Sequence, residues 1–323
     1  MKHKVKALSF SGREKTLFII ILVIFVIMSL IKGELFYAKS NIQAIFSNLS
    51  YDLLLACGMT FVLILGGIDL SVGSILAFVG VIVTLLMQNG TAVPFAIIIG
   101  LGISLMAGGL NGLLVSKFNI APFVTTLGTM SILRGVCYVL TSGYFIVNLP
   151  KSYTDIARGS IAGISNKIVI SITIMIILAI LSTRNRIFKQ MYYVGGNPNA
   201  AFLSGIPASK TITLGYAISG LMAGIASILM TSSLGMGQAG FGLSFEMRAI
   251  AAAVIGGANM NGGEGSFLGT ALGVILVALV NNVFIMFNGS PNWSGAISGI
   301  MLLVAVAIDM IKTKGRIKWE ARK

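Results

Sequence analysis

Few side chains in this sequence could act as catalysts or as metal ligands. The single histidine, His3, lies in a basic amino-terminal tail, and the two cysteines, Cys57 and Cys137, lie in apolar stretches without a metal-binding or redox spacing. The nine acidic residues form no cluster that would support acid–base chemistry. We therefore expect no enzymatic activity, no metal site and no bound cofactor.

A short capped helix is predicted between two long apolar segments, in the stretch YYVGGNPNAAFLSGIPASK. Asn197 can accept a hydrogen bond from the first free amides, Pro198 suits the first helical position, and Gly205 can end the helix in a left-handed conformation. An ordinary inter-helix loop is the alternative. Small residues would give this helix a low, smooth surface for a docking partner: Gly196, Ala200, Ala201 and Ser204.

The composition predicts a polytopic membrane protein of the all-α class. Of the 323 residues, 56% are hydrophobic and only 10% are charged, which leaves too little polar surface to cover a soluble domain. The net charge of +14 could indicate nucleic-acid binding, but the basic residues gather at the ends of apolar runs, as membrane topology requires. We therefore expect the lipid bilayer as a partner, and no nucleic acid.

About ten segments are apolar enough to cross a bilayer, which takes about 20 helical residues. Most of the 23 lysines and arginines then fall on one side, so residues 1–15, 184–210 and 312–323 are expected to be cytoplasmic, residues 141–166 external, and residues 16–311 a single transmembrane domain. The segment that begins at Glu246 is short enough to be re-entrant instead. The predicted spans are 16–31, 51–67, 70–88, 92–115, 122–141, 167–183, 211–233, 246–259, 266–287 and 293–311.

Two glycine-rich stretches predict breaks between apolar segments, LGGIDLSVGS at 65–74 and IGGANMNGGEGS at 255–266. Six spans separate the two, so both breaks should face the same side, which suggests a parallel internal repeat. The first break ends with Asp69, which is placed to cap the next helix or to take part directly in gating. Elsewhere, the pairs Gly108–Gly112 and Gly220–Gly224 predict close contacts between helices.

Four stretches, in their order along the chain, resemble the permease subunits of ATP-binding-cassette importers of the ribose, xylose and autoinducer-2 class. They are GIDLSVGS at 67–74, PFVTTLG at 122–128, GGNPNAAFLSGI at 195–206, and the run from AAAVIGG at 251–257 to the asparagine pair at 281–282. The resemblance implies passage for a monosaccharide such as ribose, driven by ATP that separate cytoplasmic subunits hydrolyse. It further implies an extracytoplasmic sugar-binding protein, a second permease chain and location in a prokaryotic cell membrane.

The resemblance also assigns roles to residues. It makes 195–206 the coupling helix that docks on the ATPase, and the chain has no GxxxxGK[ST] phosphate loop of its own. A neutral sugar would need a path of hydroxyls and amides that hold it weakly, although hydrogen bonds between buried helices are the alternative role for each candidate. The candidates for the path or gate are Asp69, Ser71, Thr125, Thr126, Thr129, Asn281 and Asn282.

An ion-coupled secondary transporter of a small polar solute is the alternative function. It would need ionisable groups near the middle of the membrane, and the sequence offers few, most of them near the ends of spans. Arg134 falls inside a span and needs a partner there, for which Glu246 is the candidate.

Overall fold

The computed structural model describes residues 12–290 and 293–320. This part of the chain contains thirteen helices and one hairpin, in which β1 (Ser160–Ile161) pairs with β2 (Ile164–Ser165). The predicted all-α class is confirmed. The helices are α1 (Gly12–Tyr37), α2 (Lys39–Ile64), α3 (Val72–Gln88), α4 (Val93–Lys117), α5 (Pro122–Thr141), α6 (Lys151–Arg158), α7 (Asn166–Arg184), α8 (Arg186–Gly196), α9 (Pro198–Leu203), α10 (Ala208–Leu234), α11 (Phe245–Gly256), α12 (Phe267–Met286) and α13 (Ser294–Glu320).

Seven of the described helices are long and apolar enough to cross a membrane, namely α1, α2, α4, α5, α7, α10 and α12. The expected number of about ten membrane spans is reached only if three shorter helices are counted as well. These are α3, with 17 residues, α11, with 12 residues, and the apolar part of α13, Ser294–Ala307. Most of the predicted basic tail at 1–15, and residues 321–323 of the other tail, lie outside the described residues.

Several boundaries differ from the prediction, and at the starts of α1 and α2 the reason is that polar residues continue the helix. α1 begins at Gly12, inside the predicted tail, and α2 begins at Lys39 rather than near residue 51. Within the added turns of α2, the hydroxyls of Ser47 and Ser50 donate to carbonyls four residues earlier, at 2.6 and 2.9 Å. A serine that bonds to its own helix can enter an apolar environment without an unsatisfied group.

The centre of the bundle is formed by α2 and α10. Every residue of α2 from Ser50 to Ile64 is buried, and α10 lies against α2, α3 and α4. The predicted close contact is found between α4 and α10, where a Cβ on Gly108 would overlap the Tyr216 carbonyl and one on Gly220 would overlap the Ser104 carbonyl. Without a hydrophobic force between helices in lipid, this close backbone approach is a main source of packing energy.

The short helix α6 covers the end of α10 on the side of the bundle opposite α9. Tyr153 shares a 2.5 Å hydrogen bond with Thr231, and the Ala157 amide donates to the Ser232 hydroxyl at 3.0 Å. Burial raises the pKa of Tyr153 above its usual value, so the phenol keeps its proton and this bond even in alkaline solution.

Candidate coupling and translocation site

The capped helix predicted from sequence is α9. The Asn197 side chain accepts a hydrogen bond from the Ala200 amide at 3.0 Å, Pro198 occupies the first turn, and Gly205 follows with φ of 77°. Only six residues are helical, and α8 precedes them directly. We call the end of the bundle that carries α8 and α9 the coupling end.

The exposed face of α9 differs from the predicted one. Gly196, Ala200, Ser204 and Gly205 are exposed as expected, but Ala201 is only 4% exposed because its side chain faces the permease. The prediction that Ala201 belongs to a docking surface is therefore wrong for its side chain. Phe202 and Leu203, which the sequence reasoning missed, are 72% and 86% exposed and add a large apolar surface here.

Three chain segments meet by backbone contact beneath α9, and we call them the glycine junction: Ile64–Gly66, Gly195–Gly196 and Asn261–Gly263. The Gly263 amide donates to the Ile64 carbonyl at 2.8 Å. A Cβ on Gly195 would overlap that same carbonyl oxygen, and one on Gly263 would lie 2.9 Å from the Gly196 Cα. The junction thus joins the coupling helix to both glycine-rich breaks, which face the same side as expected. The internal repeat itself stays a prediction.

The first turn of α1 holds the second break from the other side. The Arg13 guanidinium donates to the carbonyls of Val254 and Ile255, at 2.5 and 3.2 Å, at the carboxyl end of α11. Ser266, which caps α12, donates to Glu14 at 2.6 Å. The bond to Ile255 satisfies a carbonyl at the end of α11, and the Val254 carbonyl accepts from Arg13 in addition to the Gly257 amide.

Asp69 is fully buried between the end of α2 and the start of α3. One carboxylate oxygen accepts from the Ser71 amide and hydroxyl at 3.0 and 2.6 Å, and the other accepts from the Ser219 hydroxyl of α10 at 2.9 Å. Since α3 begins at Val72 with Ser71 as its N-cap, the prediction that Asp69 caps α3 is wrong by two positions. Asp69 instead holds the turn before the helix and fixes it to α10.

The bonds of Asp69 continue into α4 and α5. Asn111 donates to the Ser71 hydroxyl at 2.9 Å and accepts from the Thr129 hydroxyl at 2.6 Å. We call this set, Ser219, Asp69, Ser71, Asn111 and Thr129, the polar chain. Sequence reasoning missed Asn111 and Ser219, although a lone asparagine in the apolar run of α4 was an available signal.

The other predicted path residues lie in two separate regions of the bundle. Thr126 donates to the Pro122 carbonyl at 2.9 Å and the Ile68 carbonyl at 3.3 Å beside the polar chain, and the buried Thr125 hydroxyl has no hydrogen-bond partner among the described residues. Asn281 bonds to its own helix, and Asn282 donates to Asn41 at 2.6 Å. Asn41 lies at the far end of α2, roughly 35 Å of helix away from the first break. The structure therefore does not bring Asn281 and Asn282 to the polar chain.

The charged residues within the bundle have structural partners. Arg134 donates to the carbonyls of Ala239 and Phe241, the latter at 2.7 Å. Among the described residues it makes no ion pair with Glu246, although the two charges attract each other at longer range. Glu246 is therefore a neighbouring charge, as predicted, but not a direct partner. Arg248 instead forms an ion pair with Asp52 at 3.3 Å, which the sequence reasoning missed, and its guanidinium lies 3.9 Å from the centre of the Phe245 ring.

We expect Arg248→Met to lower the stability of the permease strongly, since it leaves the Asp52 carboxylate buried without its cation. Removing one partner of a buried pair costs about 3–5 kcal/mol, whereas replacing both with apolar residues is often neutral. Thermal unfolding in detergent should therefore show a much lower melting temperature for Arg248→Met. The melting temperature should recover in the double variant D52L/R248M. Equal losses in the two variants would contradict a buried pair.

The fold and this site define a multi-pass permease of the cell membrane. A family profile described as "Branched-chain amino acid transport system / permease component" matches residues 41–306. The chain belongs to this family, and its role is that of a permease in an ATP-binding-cassette importer.

Curated relatives cover almost the whole chain. A ribose import permease protein of Bacillus subtilis (strain 168) is 34% identical over 95% of this chain and 97% of its own length. A D-allose transport system permease protein of Escherichia coli (strain K12) is 33% identical, over 92% of this chain and 91% of its own. An autoinducer 2 import system permease protein of Enterobacter sp. (strain 638) is 31% identical, over 92% and 87% respectively. No solved structure matches.

Proposed function

We propose that this chain forms the passage for a monosaccharide, ribose or a similar sugar, and that separate cytoplasmic subunits hydrolyse the ATP. The observation that carries the proposal is the glycine junction beneath the exposed helix α9. Because α8, the end of α2 and the loop after α11 touch through backbone atoms, a partner that moves α9 moves both breaks directly.

The chemistry of the polar chain supports a neutral solute. Its members are hydroxyls, one amide and one carboxylate whose oxygens already accept three hydrogen bonds. A site with little free charge holds a sugar weakly and releases it, as transport requires. The named substrates of the relatives, ribose and D-allose, are sugars of this kind.

The end opposite α9 supports delivery by an extracytoplasmic sugar-binding protein. A cleft of about 920 Å³ opens there between the α3–α4 turn, the start of α4, and α6. Pro150, Ser152 and Ile156 line one wall, and Thr91 and Pro94 line the other. A protein that docked on α6 would lie beside this cleft, and α6 is itself joined to α10 by the bond between Tyr153 and Thr231.

The outer face of α5 supports a second permease chain, identical to this one or a sister. Gly128, Ser131 and Gly135 follow one another at helical spacing and are exposed, and a Cβ on either glycine would meet nothing within 4 Å. Small and hydroxyl residues on an otherwise lipid-facing helix are typical of contacts between membrane helices.

A cysteine at Ser131 should therefore cross-link two copies of this permease through a short bis-maleimide, and for a sister chain a cysteine is also placed at its matching position. The native Cys57 and Cys137 are buried and should not react. Ile132→Cys is the matched control because it is also exposed but points about 100° away around the helix. Equal cross-linking at both positions, or at neither, would contradict this interface.

Reconstitution tests the function itself. Proteoliposomes that contain the permease, its ATPase and its sugar-binding protein should accumulate labelled ribose or a related sugar when ATP is present at the ATPase side. An imposed proton or sodium gradient without ATP should drive no uptake. Uptake driven by the gradient alone would support the ion-coupled secondary transporter instead.

A further inference from the structure

A basic cleft of about 380 Å³ lies at the coupling end, between the end of α7, α8 and the segment after α9. Arg184, Arg186 and Lys189 line it, and among the described residues none of these three cations has a carboxylate within ion-pair distance. Gln190 and Tyr193 add neutral hydrogen-bond donors, and the lining contains no acidic residue. Its chemistry therefore suits an anion that accepts several hydrogen bonds.

The surroundings of the cleft indicate that this anion belongs to a lipid. On α7, Ile177 and Ile180 are each 49% exposed and lie seven and four residues before Arg184, on the same helix face. An apolar, lipid-facing stripe thus leads to the cations at the predicted cytoplasmic edge of the membrane. A soluble anion could bind in the cleft without contacting this stripe, whereas the acyl chain of a lipid would lie against it.

We propose that the cleft binds the phosphate of an anionic phospholipid whose acyl chain lies along α7. Arg184 and Arg186 donate to the phosphate oxygens, and Lys189 adds a third positive charge. Ser204, at the end of α9, also lines the cleft, so a bound headgroup contacts the coupling segment itself. Lipid binding does not depend on the solute carried; only its effect on transport rests on the proposed function.

Binding is tested with delipidated permease in detergent, by native mass spectrometry during titration with phosphatidylglycerol or phosphatidylcholine. The wild type should prefer phosphatidylglycerol. R184Q/K189Q should bind it about 25-fold more weakly, since a basic residue near an anionic headgroup contributes about a fivefold factor. K117Q/K210Q, which removes two exposed lysines outside the cleft, should bind within about twofold of wild type. Equal melting temperatures would show that both variants are folded.

Three results would overturn the proposal. The first is equal binding of the two lipids by the wild type, or equal binding of phosphatidylglycerol by R184Q/K189Q and the wild type. The second is displacement of phosphatidylglycerol by inorganic phosphate at the same concentration, which would show a site for a soluble anion. The third is that R184Q/K189Q keeps its lipid binding but loses the copurifying ATPase, which would assign these cations to the protein partner.

A transport assay tests separately whether the bound lipid affects uptake. In proteoliposomes of increasing phosphatidylglycerol content, ATP-driven uptake should rise for the wild type and K117Q/K210Q and stay low for R184Q/K189Q. If no variant transports sugar under any condition, the proposed function fails while the binding result still stands. If uptake by R184Q/K189Q rises as it does for the wild type, the lipid does not act through this cleft.

Discussion

Gly195→Ala should abolish ATP-driven transport while the permease stays in the membrane and keeps its ATPase. The added Cβ would overlap the Ile64 carbonyl oxygen, so α8 must move away from α2 and the glycine junction must open. Overpacking of this kind costs about 1–3 kcal/mol, which a large membrane bundle tolerates. The exposed residues of α9 are unchanged, so the partner still binds but its motion no longer reaches the breaks. The measurement is sugar transported per ATP hydrolysed.

Gly196→Ala is the matched control for this prediction. A Cβ at Gly196 has its nearest neighbour at 3.9 Å, an ordinary contact, so this variant should transport as the wild type does. Normal coupling in Gly195→Ala, or an equal loss of coupling in Gly196→Ala, would contradict the role of the junction.

Ala200→Arg and Ala201→Arg should fail in different ways although they are neighbours. Ala200 is exposed, so Ala200→Arg should leave folding nearly unchanged and should abolish uptake by preventing close approach of the ATPase. Ala201 is 4% exposed, so Ala201→Arg buries an unpaired guanidinium within the permease, which costs several kcal/mol. We expect a normal melting temperature with lost ATPase copurification for the first, and a lowered melting temperature for the second.

Ala200→Ser is the conservative control and should support normal uptake, because a small hydroxyl keeps the surface low. Leu203→Asp tests the missed apolar surface in the same assay and should also lose the ATPase, since Leu203 is 86% exposed. Normal copurification of the ATPase by both Ala200→Arg and Leu203→Asp would mean that the partner docks elsewhere.

Local features of the site could be predicted from sequence because their causes are local. Asn197, Pro198 and Gly205 lie within one short stretch and act through capping and backbone conformation, so α9 follows from them alone. The bounds of α5, Pro122–Thr141, agree with the prediction for a similar reason: Pro122 favours the first turn and an apolar run follows it.

Features that depend on distant segments could not be predicted. Whether Ala200 or Ala201 faces the permease depends on how a six-residue helix lies against the bundle, and both are alanines. Asn111 has partners 40 residues before it and 18 residues after it, and no periodic pattern joins these positions. Arg134 is a similar case, because depth in the membrane indicated the nearby charge of Glu246 but not the carbonyls of Ala239 and Phe241 that bind the guanidinium.

The hydrogen bonds from Arg13 to the end of α11 have a consequence for biogenesis. The contact with Ile255 joins residues 242 positions apart, so α1 leaves the ribosome long before its partner in α11 does. At about 5–20 residues per second, roughly 10 to 50 s of synthesis separate the two. Until then α1, whose sides are mostly exposed, lacks its contacts with α11 and α12 and packs mainly against the bilayer and α2. Chains that stop before α11 should therefore present a loose amino-terminal helix to membrane quality-control proteases, which full-length chains conceal.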